Sequence, residues 1–499
     1  MSGTDRTVER VRGPRGLGGD GHETGASVPK LATGISGFDH VAMGGIPASR
    51  ATVVAGQAGS AKTVFAGQFL AEGVRLGQAG VFVTLEEPAV DLRANLQTLG
   101  FSVPDWEAEG SWRFVDASPV VRAGGTVEPY SLDTLAAQVG HAVDQTGADR
   151  LVLDSLNAVL SLHEDVGVAR QALRSLIASL RGMGLTVLLT VETPGDPGGT
   201  LSRYGIEEFV ADSVVLLRNV REGTFRRRTL EVLKMRGAMH HKGDVPFTVV
   251  PGRGMVVLPV REPEQAANLG DERLTTGDAE LDAMCGGGFF RGSCALVTGP
   301  TGTGKTLLAT EFLSSGAENG ERVVLFAFEE TREQVLRNAR GWGHDLEQHE
   351  REGRLLIQSL YPEVASLDDH LVEMKDVVSR FEPTRIVIDS LSALERLGSP
   401  TAYREFVIGI TSFVKETGIA SLVTASAPDL MAGASVTESH ISGLIDVIIL
   451  LRYAEVDSSV RRALTVLKMR GSRHDSAIRE FTIDDTGLRL GDRFGDTGG

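Results

Sequence analysis

Apolar residues in this chain fall into two kinds of run. One kind is short and apolar throughout: ATVVAG (51–56), VFVT (81–84), RLVLD (150–154), TVLLTV (186–191) and DSVVLLR (212–218). Strand-length runs with no polar alternation predict strands covered on both faces, the signature of a mostly parallel sheet. The other kind, such as TVFAGQFLAEGVRLG (63–77), spaces its apolar positions as a helix does. The two kinds alternate, which predicts an α/β fold with helices on both sides of each sheet.

The same order of runs appears twice. Lys62 and Lys305 are separated by 243 positions, and so are Glu86-Glu87 and Glu329-Glu330. LVLDS (151–155) answers IVIDS (386–390), and LEVLKMRG ending at Gly237 answers LTVLKMRG ending at Gly471, 234 positions later. An ordered set of matches with a slowly drifting offset predicts two copies of one domain. The expected boundaries are a disordered Gly-rich and charged arm over 1–29, domains over 30–258 and 271–490, a polar linker over 259–270, and a short flexible tail over 491–499.

Each copy carries a glycine-rich stretch between a strand and a helix. GPTGTGKT (299–306) fits the phosphate-loop pattern at every position, whereas GQAGSAKT (56–63) departs from it once, at Ala61. In such loops backbone N–H groups and a helix N-terminus meet phosphate oxygens, the lysine reaches the outer phosphates, and the hydroxyl residue holds Mg²⁺. Gly56, Gly59, Lys62 and Thr63 are therefore candidate contacts in the first copy, and Gly299, Gly302, Gly304, Lys305 and Thr306 in the second. At Ala61 a helical backbone costs little, and a positive φ is strained.

Asp154 and Asp389 end apolar strands, where ligands of open α/β sheets bind, and are candidate Mg²⁺ ligands. The acidic pairs are read as catalytic, each carboxylate raising the pKa of its neighbour and supplying a general base. Lys234, Arg236, Lys468 and Arg470 of the two LKMRG segments suit a triphosphate, including one bound by a neighbouring subunit. Arg226-Arg227-Arg228 reads as a solvated surface run.

Composition narrows the classes. The net charge of −16 and the 5% aromatic content disfavour a nucleic-acid coat. Cys285 and Cys294 form no metal or redox motif, no apolar run is long enough to span a bilayer, and no signal peptide is evident, so a cytoplasmic setting is expected.

TESHISGLIDVIILLRYAE (437–455) and LKMRGSRHDSAIREF (467–481), with the tandem loops and acidic pairs, resemble the KaiC family of RecA-like ATPases. The resemblance covers the chain from about residue 30 and implies two tandem RecA-like P-loop NTPase domains with ATP and Mg²⁺ as cofactors. It further implies a homohexamer with ATP between subunits, a slow ATPase in the first domain, and a serine/threonine autokinase and autophosphatase in the second. By the same resemblance Trp342, Arg462, Lys468, Met469 and Arg470 contact nucleotide. Glu329 would bind Mg²⁺ and Glu330 would act as base, with Glu86 and Glu87 matching them. Ser442 and Thr437 would accept phosphate. Glycine stands at 443, where the family has threonine, and Glu208 and Arg203 stand at the acceptor positions of the first copy. KaiB-like or histidine-kinase-type signalling partners are implied, a KaiA-type activator is not, and neither a membrane nor nucleic acid is expected. Two alternatives stay open: a DNA-dependent ATPase of the RecA superfamily, and a scaffold that ATP merely assembles.

Overall fold

The computed structural model describes residues 28–117, 132–160, 165–193, 210–260, 271–426, 443–456 and 459–494. Two sheets of nine strands dominate it. In the first sheet the order is Trp112–Asp116, Gly80–Thr84, Arg150–Asp154, Thr186–Glu192, Ala51–Gly56, Ser213–Glu222, Phe225–Met235, Val245–Val250 and Gly254–Val257. In the second it is Leu355–Ser359, Val323–Ala327, Arg385–Asp389, Ala420–Ser426, Cys294–Gly299, Val447–Val456, Ser459–Met469, Arg479–Asp484 and Gly487–Arg493. Element for element the order is the same. The first six strands of each run parallel and the last three antiparallel. The fold is thus two RecA-like α/β domains in tandem.

The apolar runs form these sheets because both faces are covered. All six residues of Ala51–Gly56 are buried, and Val53 packs into one core while Val54 packs into the other. Leu325 and Phe326 divide in the same way in the second domain. Successive side chains of a strand point to opposite faces, so a run apolar at every position fits only a sheet sandwiched by helices.

Each aspartate strand begins with a buried arginine that ties the sheet to the helix following the phosphate loop. Arg150 donates to the carbonyls of Ala32 (2.8 Å) and Phe69 (2.7 Å) and to Gln78 (2.9 Å). Arg385 donates to the carbonyls of Thr275 (2.7 Å) and Phe312 (3.1 Å), and to both carboxylate oxygens of Glu321 (2.8 and 2.5 Å).

The run Arg226-Arg227-Arg228 is only in part the solvated surface that the sequence suggests: Arg226 is exposed, but Arg227 and Arg228 are half-buried. Arg227 bridges the domains, donating to Asp368 (3.1 Å) and Glu405 (2.5 Å) of the second. Burial in the interface and a strand position facing two carboxylates outweigh the run's polarity. Thr248–Asp369 and Arg253–Asp376 (2.7 Å) bridge the same interface. Among the described residues no helix is long and apolar enough to cross a membrane.

Candidate active sites

Each phosphate loop leaves the strand at the centre of its sheet. Lys62 Nζ donates to the carbonyls of Gly56 and Gln57 (both 2.9 Å), and Lys305 Nζ donates to those of Gly299 (2.8 Å) and Pro300 (2.9 Å). The lysines fold back over loops whose carbonyls stand in for an anion. Burial lowers the pKa of both, against the opposing charges of Glu192, Asp154 and Glu86 around Lys62, and of Asp389 and Glu329 around Lys305. A partly desolvated ammonium on a glycine cradle fits a polyphosphate. The cradles are tight: a Cβ at Gly299 would lie 2.1 Å from the Leu451 carbonyl oxygen, and one at Gly56 would lie 2.6 Å from that of Leu217. Gly59 and Gly302 shape the two loops between these points.

The structure decides the question at Ala61. Its φ is +71°, and Gly304 at the equivalent place has φ +107°. Ala61 therefore sits in the left-handed region, at a cost of about 1 kcal/mol. Its methyl group has room for a reason that involves a second position. A Cβ at Gly304 would lie 3.0 Å from the Ile483 δ-methyl. By strand register, Phe247 and Phe481 are equivalent, so Val249 stands where Ile483 does. Valine lacks the δ-methyl, and Ala61 and Val249 pack against the same core. Gly304→Ala is expected to lower the stability of the second domain by about 1–3 kcal/mol. Adding Ile483→Val should recover part of that loss. Denaturant unfolding of the single and double variants checks this, and strict additivity would contradict the pairing.

Thr63 Oγ1 donates to Asp154 (2.8 Å), and Thr306 likewise hydrogen-bonds Asp389. Thr190 and Thr424, on the neighbouring strands, hydrogen-bond the same aspartates. Asp389 is pushed up by burial, against the hydroxyl hydrogen bonds of Thr424 and Thr306. A hydroxyl beside a carboxylate at the end of the loop fits the donor set of Mg²⁺.

The acidic pairs divide between two tasks. Glu86 accepts from Ser155 (2.7 Å) and Glu329 from Ser390 (3.1 Å), so the first member of each pair turns toward the aspartate strand. Glu87 accepts from Asn95 (2.8 Å) and Glu330 from Asn338 (3.0 Å), so the second turns to the next helix. Both Glu87 and Glu330 are raised, chiefly by burial and then by Asp154 or Asp389. This corrects the expected cause: mutual repulsion ranks last for Glu330, and Glu86 does not contribute at Glu87. Trp342 ends the helix Arg332–Gly341 and packs against the core beside Thr306, Glu330 and Asp389.

The remaining basic candidates do not gather at one place. Arg462 pairs with Tyr453, whose hydroxyl donates to the Thr301 carbonyl (3.4 Å), so Arg462 lies at the loop end of the sheet. Lys468 pairs with Ile448, which is level with Leu296, near the start of the loop strand. Six residues of strand separate the two, about 20 Å. Lys468 and Arg470 donate to the carbonyls of Ile445 (2.7 Å) and Gly443 (2.6 Å), and Met469 is buried. Lys234 donates to the Ala211 carbonyl (2.8 Å), and the Arg236 carbonyl accepts from Arg50 (2.7 Å) at the same end of the first sheet. By strand register both groups lie at the end of the sheet away from their own phosphate loops.

Sequence reasoning missed Arg228. Its register partners, Asn219 and Phe247, match those of Arg462, Tyr453 and Phe481. The Nε of each is buried and has no partner among the described residues. Aligning the copies at the offset of 234 would have found it. Ser442 and Thr437, with Arg203 and Glu208 of the first copy, lie outside the described residues.

Comparison with known proteins repeats the twofold division of the chain. The family model of the KaiC ATPase matches residues 31–262 and again 274–493. The chain belongs to the KaiC family. It is 51% identical over 468 residues to the circadian clock protein KaiC3 of Synechocystis, covering 94% of this chain and 92% of that one. It is 44% identical over 469 residues to the circadian clock oscillator protein KaiC of Synechococcus elongatus, covering 94% and 90%. The KaiC of Prochlorococcus marinus is 43% identical over 478 residues, covering 96% and 95%. Both copies in this KaiC-family chain are ATPase domains, each with its own phosphate loop, aspartate and acidic pair.

Proposed function

We propose that this protein is an ATP-dependent signalling hexamer in which the first domain hydrolyses ATP and the second transfers phosphate to Ser442 and Thr437 of a neighbouring subunit, and removes it again. The observation that carries the reading is the placement of Lys468, Met469 and Arg470, and of Lys234 and Arg236, at the sheet end away from their own loops. Cations there serve nucleotide only if it is bound by another copy of the chain.

In each domain Lys62 or Lys305 would hold the outer phosphates. Thr63 with Asp154, or Thr306 with Asp389 and Glu329, would hold Mg²⁺, which when bound would screen the phosphate charge. Glu330 then takes the proton of the attacking hydroxyl, and Glu87 that of a water. Burial suits both to this work, because a raised carboxyl binds a proton more readily. KaiB-like or histidine-kinase-type proteins are the partners proposed to read the phosphorylated state.

Incubation of the full chain with ATP and Mg²⁺, followed by phosphosite mapping, tests the proposal. Phosphate is expected on Ser442 and on Thr437. ATP hydrolysis without phosphate on either residue would exclude the kinase activity and favour a hydrolysing scaffold.

A further inference from the structure

We propose that Glu311 is a positioning residue for the second phosphate loop, working as a proton-operated latch between the loop helix and the C-terminal hairpin. The inference rests on reading Gly299–Thr306 as a nucleotide site.

Glu311 lies in the helix Lys305–Glu318, a turn and a half beyond the loop lysine. It is 5% exposed. Its Oε1 accepts from the backbone N–H of Leu488 (2.5 Å), and its Oε2 is buried with no partner among the described residues. Leu488 belongs to the hairpin of Arg479–Asp484 and Gly487–Arg493. That hairpin also presents Ile483 and Phe481 to the loop at Gly304. Whatever seats the hairpin therefore shapes the loop.

The first domain shows what this position does when it carries no charge. Gln68 is the equivalent of Glu311, displaced by the same 243 positions as the loop lysines. Its Oε1 accepts from Met255 N–H (2.6 Å), as Oε1 of Glu311 does from Leu488. Its Nε2 donates to the carbonyls of Met255 (3.3 Å) and Arg253 (3.4 Å). Both polar atoms of Gln68 are satisfied. Gly254 and Gly487 press on the two side chains alike, since a Cβ would lie 2.6 Å from Gln68 Cδ and 2.5 Å from Glu311 Oε1. A carboxylate cannot supply the second, donating contact, and a protonated carboxyl can. The unpartnered Oε2 is where that proton belongs.

Charges facing Glu311 come from three elements. Asp278, the N-cap of the helix Ala279–Met284, opposes ionisation, and Arg489 of the hairpin favours it. His344 faces the same glycine, 3.7 Å from a Cβ at Gly487, and burial holds its pKa below the usual value. Burial raises Glu311 from 4.5 to about 7. The folded value lies above the unfolded one, so the latch is complete below 4.5 and is lost as pH rises through about 7.

Hydrogen exchange of the full-length protein without nucleotide, corrected for intrinsic rates, tests the latch between pH 6 and pH 8.5. Local opening of residues 479–493 is expected to rise about tenfold over that range. Glu311→Gln should abolish the rise and keep the hairpin protected at both values. Gln68→Glu should install a rise in residues 245–257. ATP affinity of the second site, measured in a Lys62→Ala background, should weaken several-fold with pH in the parent and stay level with Glu311→Gln. A pH-independent hairpin in the parent, or loss of protection at pH 6 in Glu311→Gln, would overturn the latch. An affinity that ignores pH while the hairpin opens would overturn the positioning role. Failure of the second domain to bind ATP would sink the nucleotide reading of Gly299–Thr306 instead, and the exchange result would still decide the latch.

Discussion

Glu330→Gln is expected to cut phosphate incorporation in the second domain by about 10²–10⁴-fold, the range spanned by a positioned general base. ATP affinity should change only a few-fold, because Glu330 hydrogen-bonds Asn338 and is not among the charges that act on the loop lysine. Glu329 is the carboxylate of the pair whose charge acts on Lys305. Glu329→Gln should therefore show itself first as a higher Mg²⁺ requirement. The pH profile separates the two roles. Glu330 is raised by burial and by Asp389, and a base works only when deprotonated. The rate should climb as pH rises through that raised value and then level off. Glu330→Gln should lose this limb, whereas Glu329→Gln should keep it. Single-turnover phosphorylation at a series of pH values measures both effects. Full activity of Glu330→Gln would remove Glu330 from the mechanism.

The largest stability effect is expected at Arg385. Its side chain is 1% exposed and that of Glu321 is 17% exposed. Arg385→Met would leave Glu321 without its bidentate partner and the Thr275 carbonyl without its guanidinium donor, while the Phe312 carbonyl would keep the Ser315 hydroxyl. Breaking a buried pair in this way costs about 3–5 kcal/mol. For a domain of this size that is roughly 6–20 °C in the second domain's thermal transition. Arg150→Met should cost less in the first domain. Its side-chain partner is the neutral Gln78, so no bonded carboxylate is stranded, and one guanidinium nitrogen is already unpartnered. Burial has pulled Arg150 down to about 10, which shows the desolvation already borne there. Calorimetry of the two variants measures the difference. Equal losses in the two domains would mean that the Glu321 charge contributes nothing.

Much of the site could be read before any fold was known. The loop lysines, the aspartates that end apolar strands and the acidic pairs are local patterns, and their repetition at a nearly constant offset assigns them to two equivalent places. Residues whose roles depend on what lies across a sheet were harder. Arg227 and Arg228 are neighbours in one basic run. One is tied to the other domain, and the other mirrors Arg462 at the end of its own sheet. Glu329 and Glu330 are also adjacent, yet they turn to different elements.

The sequence by itself determined that there are two copies of one α/β domain, because burial on both faces of a parallel sheet demands uninterrupted apolar runs and a duplicated chain keeps its spacing. It also singled out the residues expected to meet phosphate, because glycine, lysine and a hydroxyl in that order have few other uses. Only the tertiary structure decided the rest. The backbone at Ala61 is left-handed and is accommodated by Val249, a strand residue far along the chain. Glu311 and Gln68 part company because one of two equivalent positions, each facing a backbone N–H of its hairpin, received a side chain that can ionise. Lys468 and Arg462, six residues apart, reach opposite ends of the sheet because strand register fixes position along the strand. These outcomes depend on contacts between segments distant in sequence, and register and burial, which local pattern does not encode, set those contacts.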